Sequence, residues 1–438
     1  MMQTYDEALT YIHSRPKKHR TASLANMHQI LTYLGEPQKN FQSIHITGTN
    51  GKGSVSYLLS AMIQNTGVKI GTFLSPFIRR FNERIQIDLE PISDDELVYW
   101  TNQVALGVQT IKKKQPEFEL AEFETVTAIM FAYFAAHKVD VAVIEVGIGG
   151  AHDKTNVIDP LFSIITTIGA DHLQLIGPTL ADVAIEKAGV IKPGRPVILG
   201  RLSSELAAIV TAKAQAQNSP VYRFDHEFKA TQVHLLPDYR QTFDLTLPNR
   251  RFKNLTIKSI AAFEVDNAAV AVMAYILFCK LTGQLQTQDT FKPVLAKTDL
   301  IGRTELISES PFILLDGAHN PPAFKSLLDS LTRAFPQTEI HLIAAFMKDK
   351  AIAEVLPLLR RQSGLNLYLT QLDMPRSATK ADLEPLMHAK DQFYTHWQQA
   401  FLAAYQNASA EDLIVITGSI YLVSAARHEL LEDGKEDV

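Results

Sequence analysis

Apolar positions along this chain form short runs that alternate between strand-like and helix-like spacing. Ile44 and Ile46 sit in a β-branched run, and a helical period follows from residue 55 to 64, closed by Gly67. Residues 68–74, 139–146 and 161–168 read as strands, and 122–138 and 179–188 as helices. Ser93 opens another helix, where Glu96 predicts a capping box and Asp94 and Asp95 suit the dipole. Segments 231–235, 241–247 and 252–257 look like short antiparallel strands divided by turns. Helices at 264–282 and 289–296 follow, then a polar linker at 297–299. Alternation then restarts, with strands at 312–315, 340–345, 365–369 and 413–417 and helices at 321–334, 351–361, across 379–408 and at the end.

Between the first strand and the first helix lies Thr47-Gly48-Thr49-Asn50-Gly51-Lys52-Gly53-Ser54. Strand, glycine loop and helix are the parts of a phosphate cradle: backbone N–H groups converge on an anion, the helix N-terminus adds its dipole, and Lys52 adds a charge. The spacing departs from the common phosphate-binding loop, with two residues between Gly48 and Gly51 and with Ser54, one place late, left to hold Mg²⁺. A plain turn needs neither a lysine nor three glycines, so the loop points to ATP or GTP. The pattern as a whole predicts an α/β fold. An N-terminal phosphate-loop ATPase-like domain, 1–297, has a mostly parallel sheet plus a small antiparallel sheet, and a C-terminal Rossmann-like α/β domain spans 298–438.

Composition narrows the class. A chain of 438 residues exceeds one ordinary core, so two domains are expected. A net charge of −5 argues against a nucleic-acid partner, and the single cysteine, Cys279, fits a reducing cytosol and reads as a small buried hydrophobe. The N-terminus is polar, which argues against a signal peptide, and no apolar run reaches the roughly 18–20 residues that span a bilayer. The expected location is the cytoplasm, with no membrane partner.

Candidate chemistry follows the strands. The run 141–144 ends in Glu145, ahead of Val146-Gly147-Ile148-Gly149-Gly150. A carboxylate at the carboxyl end of a buried parallel strand, beside a phosphate loop, can hold Mg²⁺. The strand 164–168 leads similarly to Asp171-His172; His172 alone is equally compatible with a turn histidine and with a metal ligand, and its nitrogen suits Mn²⁺ or Zn²⁺ better than Mg²⁺. Lys187, taken alone, reads as a solvated helix lysine or a partner of Asp182 or Glu186. Past the linker, Gly302-Arg303 and the strand-end run Asp316-Gly317-Ala318-His319-Asn320 could serve a nucleotide, a salt bridge or a turn.

Together these residues resemble a known family. Thr47–Ser54, Ser75-Pro76, Asn82-Glu83-Arg84-Ile85, Glu145–Gly150, Asp153 with Thr155-Asn156, Asp171-His172, Glu186-Lys187-Ala188-Gly189, Gly302-Arg303, Asp316–Asn320 and Gly418-Ser419 follow the order seen in the folylpolyglutamate synthases of the Mur ligase superfamily. The match runs from about residue 40 to about 425. The resemblance implies an ATP-dependent ligase that joins L-glutamate to the terminal γ-carboxylate of a folate through an acyl phosphate. It implies that Gly48, Thr49, Asn50, Gly51, Lys52, Gly53 and Ser54 hold the triphosphate, joined by Asn267, Arg303 and Asp316. Ser54 and Glu145 would take one Mg²⁺, and Glu145 and His172 a second, with Mn²⁺ as an alternative and a monovalent cation as a further candidate. Ser75, Arg84, His319 and Ser419 would meet the substrates, Asp316 and His319 coming from a closing C-terminal domain. Lys52, Glu145, His172 and Lys187 would be catalytic, Lys187 matching a lysine that family members carry as a carbamate.

Two departures touch the folate side: Phe77 stands where many members have histidine, and Ala151 where many have arginine. They bear on the range of pterin substrates. Dihydrofolate synthase activity, alone or as a second activity, is the nearest alternative. A nucleotide-dependent binding protein without ligation is the rival of another class. A cell-wall Mur ligase would need a UDP-binding domain before the loop, where this chain has about 40 residues. The expected state is a monomer acting on folate, L-glutamate and ATP.

Overall fold

A computed structural model describes residues 1–17, 23–284 and 287–431. The chain divides into two compact units, residues 1–231, 245–253 and 266–295 in the first and 232–244, 254–265 and 296–438 in the second. A single cut at 297/298 therefore misses two earlier segments that group with the second unit.

The first unit carries an eight-stranded sheet: β1 (Gln42–Thr47), β2 (Ile70–Phe73), β3 (Ile85–Ile87), β4 (Glu90–Pro91), β5 (Val141–Glu145), β6 (Phe162–Ile165), β7 (Val197–Leu199) and β8 (Val221–Arg223). Their order is β4-β3-β2-β5-β1-β6-β7-β8, parallel except for the antiparallel β2–β3–β4 edge. All five residues of β5 are buried, as expected of a strand covered on both faces. The chain leaves β1 toward β2, returns through β5, and then crosses β1 to form β6. Carboxyl ends of β1, β5 and β6 therefore open onto one crevice at a topological switch point. Aromatic and aliphatic side chains such as Phe73, Phe131, Phe134 and Ile144 fill the core on one side of this sheet.

Three further strands, β9 (Lys229–Leu235), β10 (Gln241–Leu247) and β11 (Arg250–Ile257), make the small sheet; two residues join β10 to β11, a connection only antiparallel neighbours allow. The second unit has a six-stranded sheet of β12 (Glu305–Glu309), β13 (Phe312–Leu315), β14 (Ile340–Ala345), β15 (Leu365–Thr370), β16 (Gln392–Tyr394) and β17 (Leu413–Thr417). Its order is β12-β13-β17-β14-β15-β16, and only β12 runs antiparallel to its neighbour. The mixed α/β architecture matches the sequence pattern.

Local differences have local causes. Strands β7, β8 and β16 are three residues each, too short to show a period, and the pattern predicts none of them. The expected capping box at Ser93 is half-formed: Ser93 Oγ accepts from Glu96 N at 3.2 Å, but the Glu96 carboxylate lies 2.8 Å from His137 instead. One helix, Ala262–Thr282, is long and apolar enough to cross a membrane, contrary to the expectation that no run would be. Of its most apolar window 78% is buried inside the protein, the setting of a core helix, and Cys279 is buried on it.

Candidate active site

β1 ends at Thr47 and the helix Lys52–Gln64 begins after the four loop residues 48–51, with Gly51 at φ 83° as its cap. The loop is glycine-rich because two side chains press on it. A Cβ on Gly51 would sit 2.3 Å from Asn267 Oδ1, and one on Gly48 would sit 1.8 Å from Thr166 Oγ1. Asn267 therefore lies directly over the loop. The segment after β6 pins the loop from the other side. Thr49 N donates to Thr167 O at 2.8 Å, Asn50 N donates to Thr167 Oγ1 at 2.9 Å, and Thr166 Oγ1 donates to Asn50 O at 2.6 Å. Thr166 and Thr167 are positioning residues that sequence reasoning passed over, since a threonine pair at a strand end looks like ordinary β-propensity. Lys52 Nζ donates to Gly48 O at 3.0 Å and Thr49 O at 3.3 Å, which holds the ammonium over the loop. Ser54 is fully buried in the first helical turn.

Glu145 ends β5 in register with Ile46 of β1, one residue before Thr47. The residue is 3% exposed, and its carboxylate accepts from Ser75 N at 3.3 Å. Ser75 Oγ in turn accepts from Arg84 Nη2 at 3.4 Å, and the Arg84 guanidinium lies 5.4 and 5.7 Å from the rings of Phe81 and Phe123. Glu145, Ser75 and Arg84 thus form one continuous polar row. Phe77 packs on the apolar core beside Phe81, ring centres 5.9 Å apart.

The turn after β5 is locked onto the helix Leu180–Ala188. Ala151 N donates to Glu186 O at 2.8 Å, and the Glu186 carboxylate accepts from His152 N at 3.0 Å and lies 2.9 Å from His152 Nδ1. Ala151 also abuts Gly189, where an added Cβ would sit 2.3 Å from the alanine's own. Thr179 and Asp182 cap this helix reciprocally, so its register is fixed. Lys187 follows Glu186 on it and is 3% exposed, not the solvated lysine that spacing alone suggests. Burial, with the positive charge of Lys52, lowers its pKa to about 7 against the pull of Asp171, Glu186 and Asp153. A pKa near 7 gives the amine a substantial neutral, nucleophilic population near neutral pH. His172 sits at φ 53° after β6, partly exposed, its Nε2 3.9 Å from Asp171 Oδ1.

Behind the loop, His45 on β1 is wholly buried, with Nε2 2.8 Å from Thr155 Oγ1. Thr155 Oγ1 donates to Asp153, whose other oxygen accepts from Ile148 N at 3.0 Å. Sequence reading gave His45 no role, although a histidine between two isoleucines of a central strand is a visible anomaly.

The second unit gathers its own set at the carboxyl ends of β13 and β17. Asp316 accepts from Thr304 N and Ala318 N, each at 2.9 Å, and Gly317 N donates to Gly302 O at 2.9 Å. Burial raises the Asp316 pKa to about 6 despite those bonds, with Glu264 adding to the rise and Arg303 opposing it. His319 Nδ1 lies 2.8 Å from Gly317 O. Gly418 N donates to Ala318 O at 3.0 Å, which ties the Gly418-Ser419 turn to the Asp316–Asn320 turn. Gly302-Arg303, Asp316, His319 and Ser419, far apart in sequence, form one cluster.

Comparison with known proteins agrees with this geometry. The profile of the Mur ligase middle domain matches residues 95–275, and that of the Mur ligase glutamate ligase domain matches 302–420. The chain is 38% identical to a folylpolyglutamate synthase of Lacticaseibacillus casei over 98% of its own length and 99% of the relative's. It is 31% identical to a Bacillus subtilis dihydrofolate synthase/folylpolyglutamate synthase, covering 98% of this chain and 100% of that one. A solved structure described as an FPGS–AMPPCP–folate complex superposes with a TM-score of 0.88 at 36% identity, covering 98% and 100% of the two chains. The Mycobacterium tuberculosis folylpolyglutamate synthase complexed with ADP superposes with a TM-score of 0.90 at 27% identity, covering 98% of each. With one crevice holding its loop, Glu145 and Lys187, and with full-length similarity on both sides of that crevice's motifs, this chain belongs to the folylpolyglutamate synthase family of the Mur ligase superfamily.

Proposed function

We propose that this protein adds L-glutamate to the terminal γ-carboxylate of folate or tetrahydrofolate with consumption of ATP. The observation that carries the reading is the joint placement of the phosphate loop, Glu145 and buried Lys187 at one sheet edge, in a chain similar over its full length to folylpolyglutamate synthases. The γ-phosphoryl group of ATP passes to the folate carboxylate, giving an acyl phosphate and ADP. The amine of glutamate then attacks the acyl carbon, the amide forms, and phosphate leaves. Lys52 and the N–H groups of residues 48–54 offset charge on the transferring group. We assign Asn267, Arg303 and Asp316 to the nucleotide, and Ser75, Arg84, His319 and Ser419 to the acidic substrates.

The donor set at the first crevice fits Mg²⁺: a buried serine hydroxyl in the first helical turn and a buried carboxylate at the end of β5, both hard oxygens. Ser54 and Glu145 would hold one ion, with Glu145 and His172 offered to a second. Bound there, the ions would neutralise the triphosphate. Lys187 we assign as a carbamate. Its depressed pKa supplies the free amine that takes up CO₂ with loss of a proton, and the carbamate places an anion within reach of the Lys52 charge.

The test is phosphate release with tetrahydrofolate and glutamate, each omitted in turn. Release that needs both supports the ligase, release indifferent to them would mean ATP hydrolysis without ligation, and no release would leave only a nucleotide-binding protein. Several relatives carry dihydrofolate synthase in their names, so dihydropteroate belongs in the same assay; turnover with it adds the second activity.

A further inference from the structure

At the opposite end of the second unit's sheet lies a second cluster with ligand chemistry. The register pairs Ile340 with Leu413, so one step back sets Glu339 beside Asp412, and the Leu413 N to Glu339 O bond of 3.0 Å confirms it. Period-2 alternation puts His341 on the same face as Glu339. One ligand atom from each of Glu339, His341 and Asp412 lies within 4.8 Å of the others. β17 separates this group from Gly418-Ser419 by five residues, about 16 Å of strand.

His341 makes this more than an acidic patch. The residue is 2% exposed, and its buried Nε2 has no hydrogen-bond partner. The carboxylate oxygen Asp412 Oδ2 is 3.6 Å away, beyond a hydrogen bond. A buried ring nitrogen left without a partner forfeits the hydrogen bonds it made to water, so an arrangement that engages it is favoured. The other nitrogen, Nδ1, is fixed 3.1 Å from Tyr368 OH, whose oxygen also accepts from Asn407 Nδ2 at 3.2 Å. That is the outer-sphere pattern of a metal-bound histidine: one nitrogen oriented by a protein oxygen, the other aimed at the ion. Ser409 N steadies Asp412 Oδ2 at 2.7 Å, while Glu339 stays exposed and able to move.

We propose that Glu339, His341 and Asp412 bind a divalent transition-metal ion of the zinc class at the amino-terminal edge of this sheet. One imidazole and two carboxylates suit Zn²⁺, Co²⁺ or Mn²⁺ and disfavour Mg²⁺ and Ca²⁺, which take oxygen throughout. Tetrahedral bonds near 2.0–2.1 Å set donor atoms about 3.3 Å apart. The His341–Asp412 separation is already close to that, and a swing of the exposed Glu339 side chain supplies the remainder, leaving a fourth position for water. The ion would join the starts of β14 and β17 and act as a structural pin.

The test uses the full chain, stripped with EDTA, then saturated with Mg²⁺ and AMPPCP so that the phosphate-loop sites are filled. Zn²⁺ titrated by calorimetry should bind at one equivalent, and added Zn²⁺ should raise the melting temperature. Glu339→Gln, exposed and safe for folding, should weaken binding by about tenfold, and Glu339→Gln/Asp412→Asn should abolish it. Glu145→Gln should keep the Zn²⁺ equivalent. Co²⁺ at the site should give a visible d–d band that the double variant lacks. No equivalent bound at 100-fold excess Zn²⁺, equal affinity in the double variant, or loss of the equivalent in Glu145→Gln would each overturn the proposal.

Discussion

At the scale of single residues, the phosphate loop depends on one cation held close. Lys52 Nζ bonds two loop carbonyls, and with ATP bound its charge would move to the triphosphate. Lys52→Ala should lower kcat by about 10²–10³-fold, the range for removing one preorganised charge donor, while the melting temperature stays near wild type. Phosphate release beside a thermal melt checks both halves, and a rate within a few-fold of wild type would refute the cradle. Lys187 gives a sharper test. Lys187→Ala should lose most activity and Lys187→Arg should not restore it, because arginine keeps charge and cannot form a carbamate. A small carboxylic acid added to the alanine variant should recover part of the rate by supplying the missing oxygens. An active Lys187→Arg variant would discard the carbamate.

Among elements, β1 does two tasks, delivering the loop and burying a histidine in the middle of a parallel sheet. Burial, then the charge of Lys192, lowers the His45 pKa to about 3. The unfolded chain takes up a proton below about 6.5, and the folded chain does not until about 3, so this residue makes stability fall as pH drops through that window. The slope is one proton, about 1.4 kcal/mol per pH unit. His45→Gln should flatten the acid limb of urea-midpoint-against-pH by that amount, at the cost of loosening the bond to Thr155. An unchanged acid limb would mean that His45 is solvated. The strands and long helices around β1 were readable from period alone, since each carries enough residues to show one. Three-residue strands were not, nor was the partner of Glu96, because His137 lies 41 positions away and only packing selects it.

On the scale of the whole molecule, the loop and the Asp316–Ser419 cluster belong to different compact units, and their variants should behave differently. Arg303→Ala and His319→Ala should depress turnover by about tenfold or more while folate affinity changes by less than threefold. Steady-state kinetics with equilibrium folate binding separates the two, and affinity falling in step with rate would contradict this division.

Sequence by itself determined the elements with long periods, the phosphate loop, and, through ordered motifs, the family and its chemistry. These are local properties: glycine permits the turn, β-branching the strand, spacing the helix face. Only tertiary structure decided that Asn267 and Thr166 are what forbid side chains at Gly51 and Gly48, and that Lys187 is buried deeply enough for its pKa to fall. It also grouped 232–244 and 254–265 with the second unit and set His341 against two carboxylates. Desolvation and through-space contact depend on which segments pack together, and neither quantity is written in the spacing of a single chain segment.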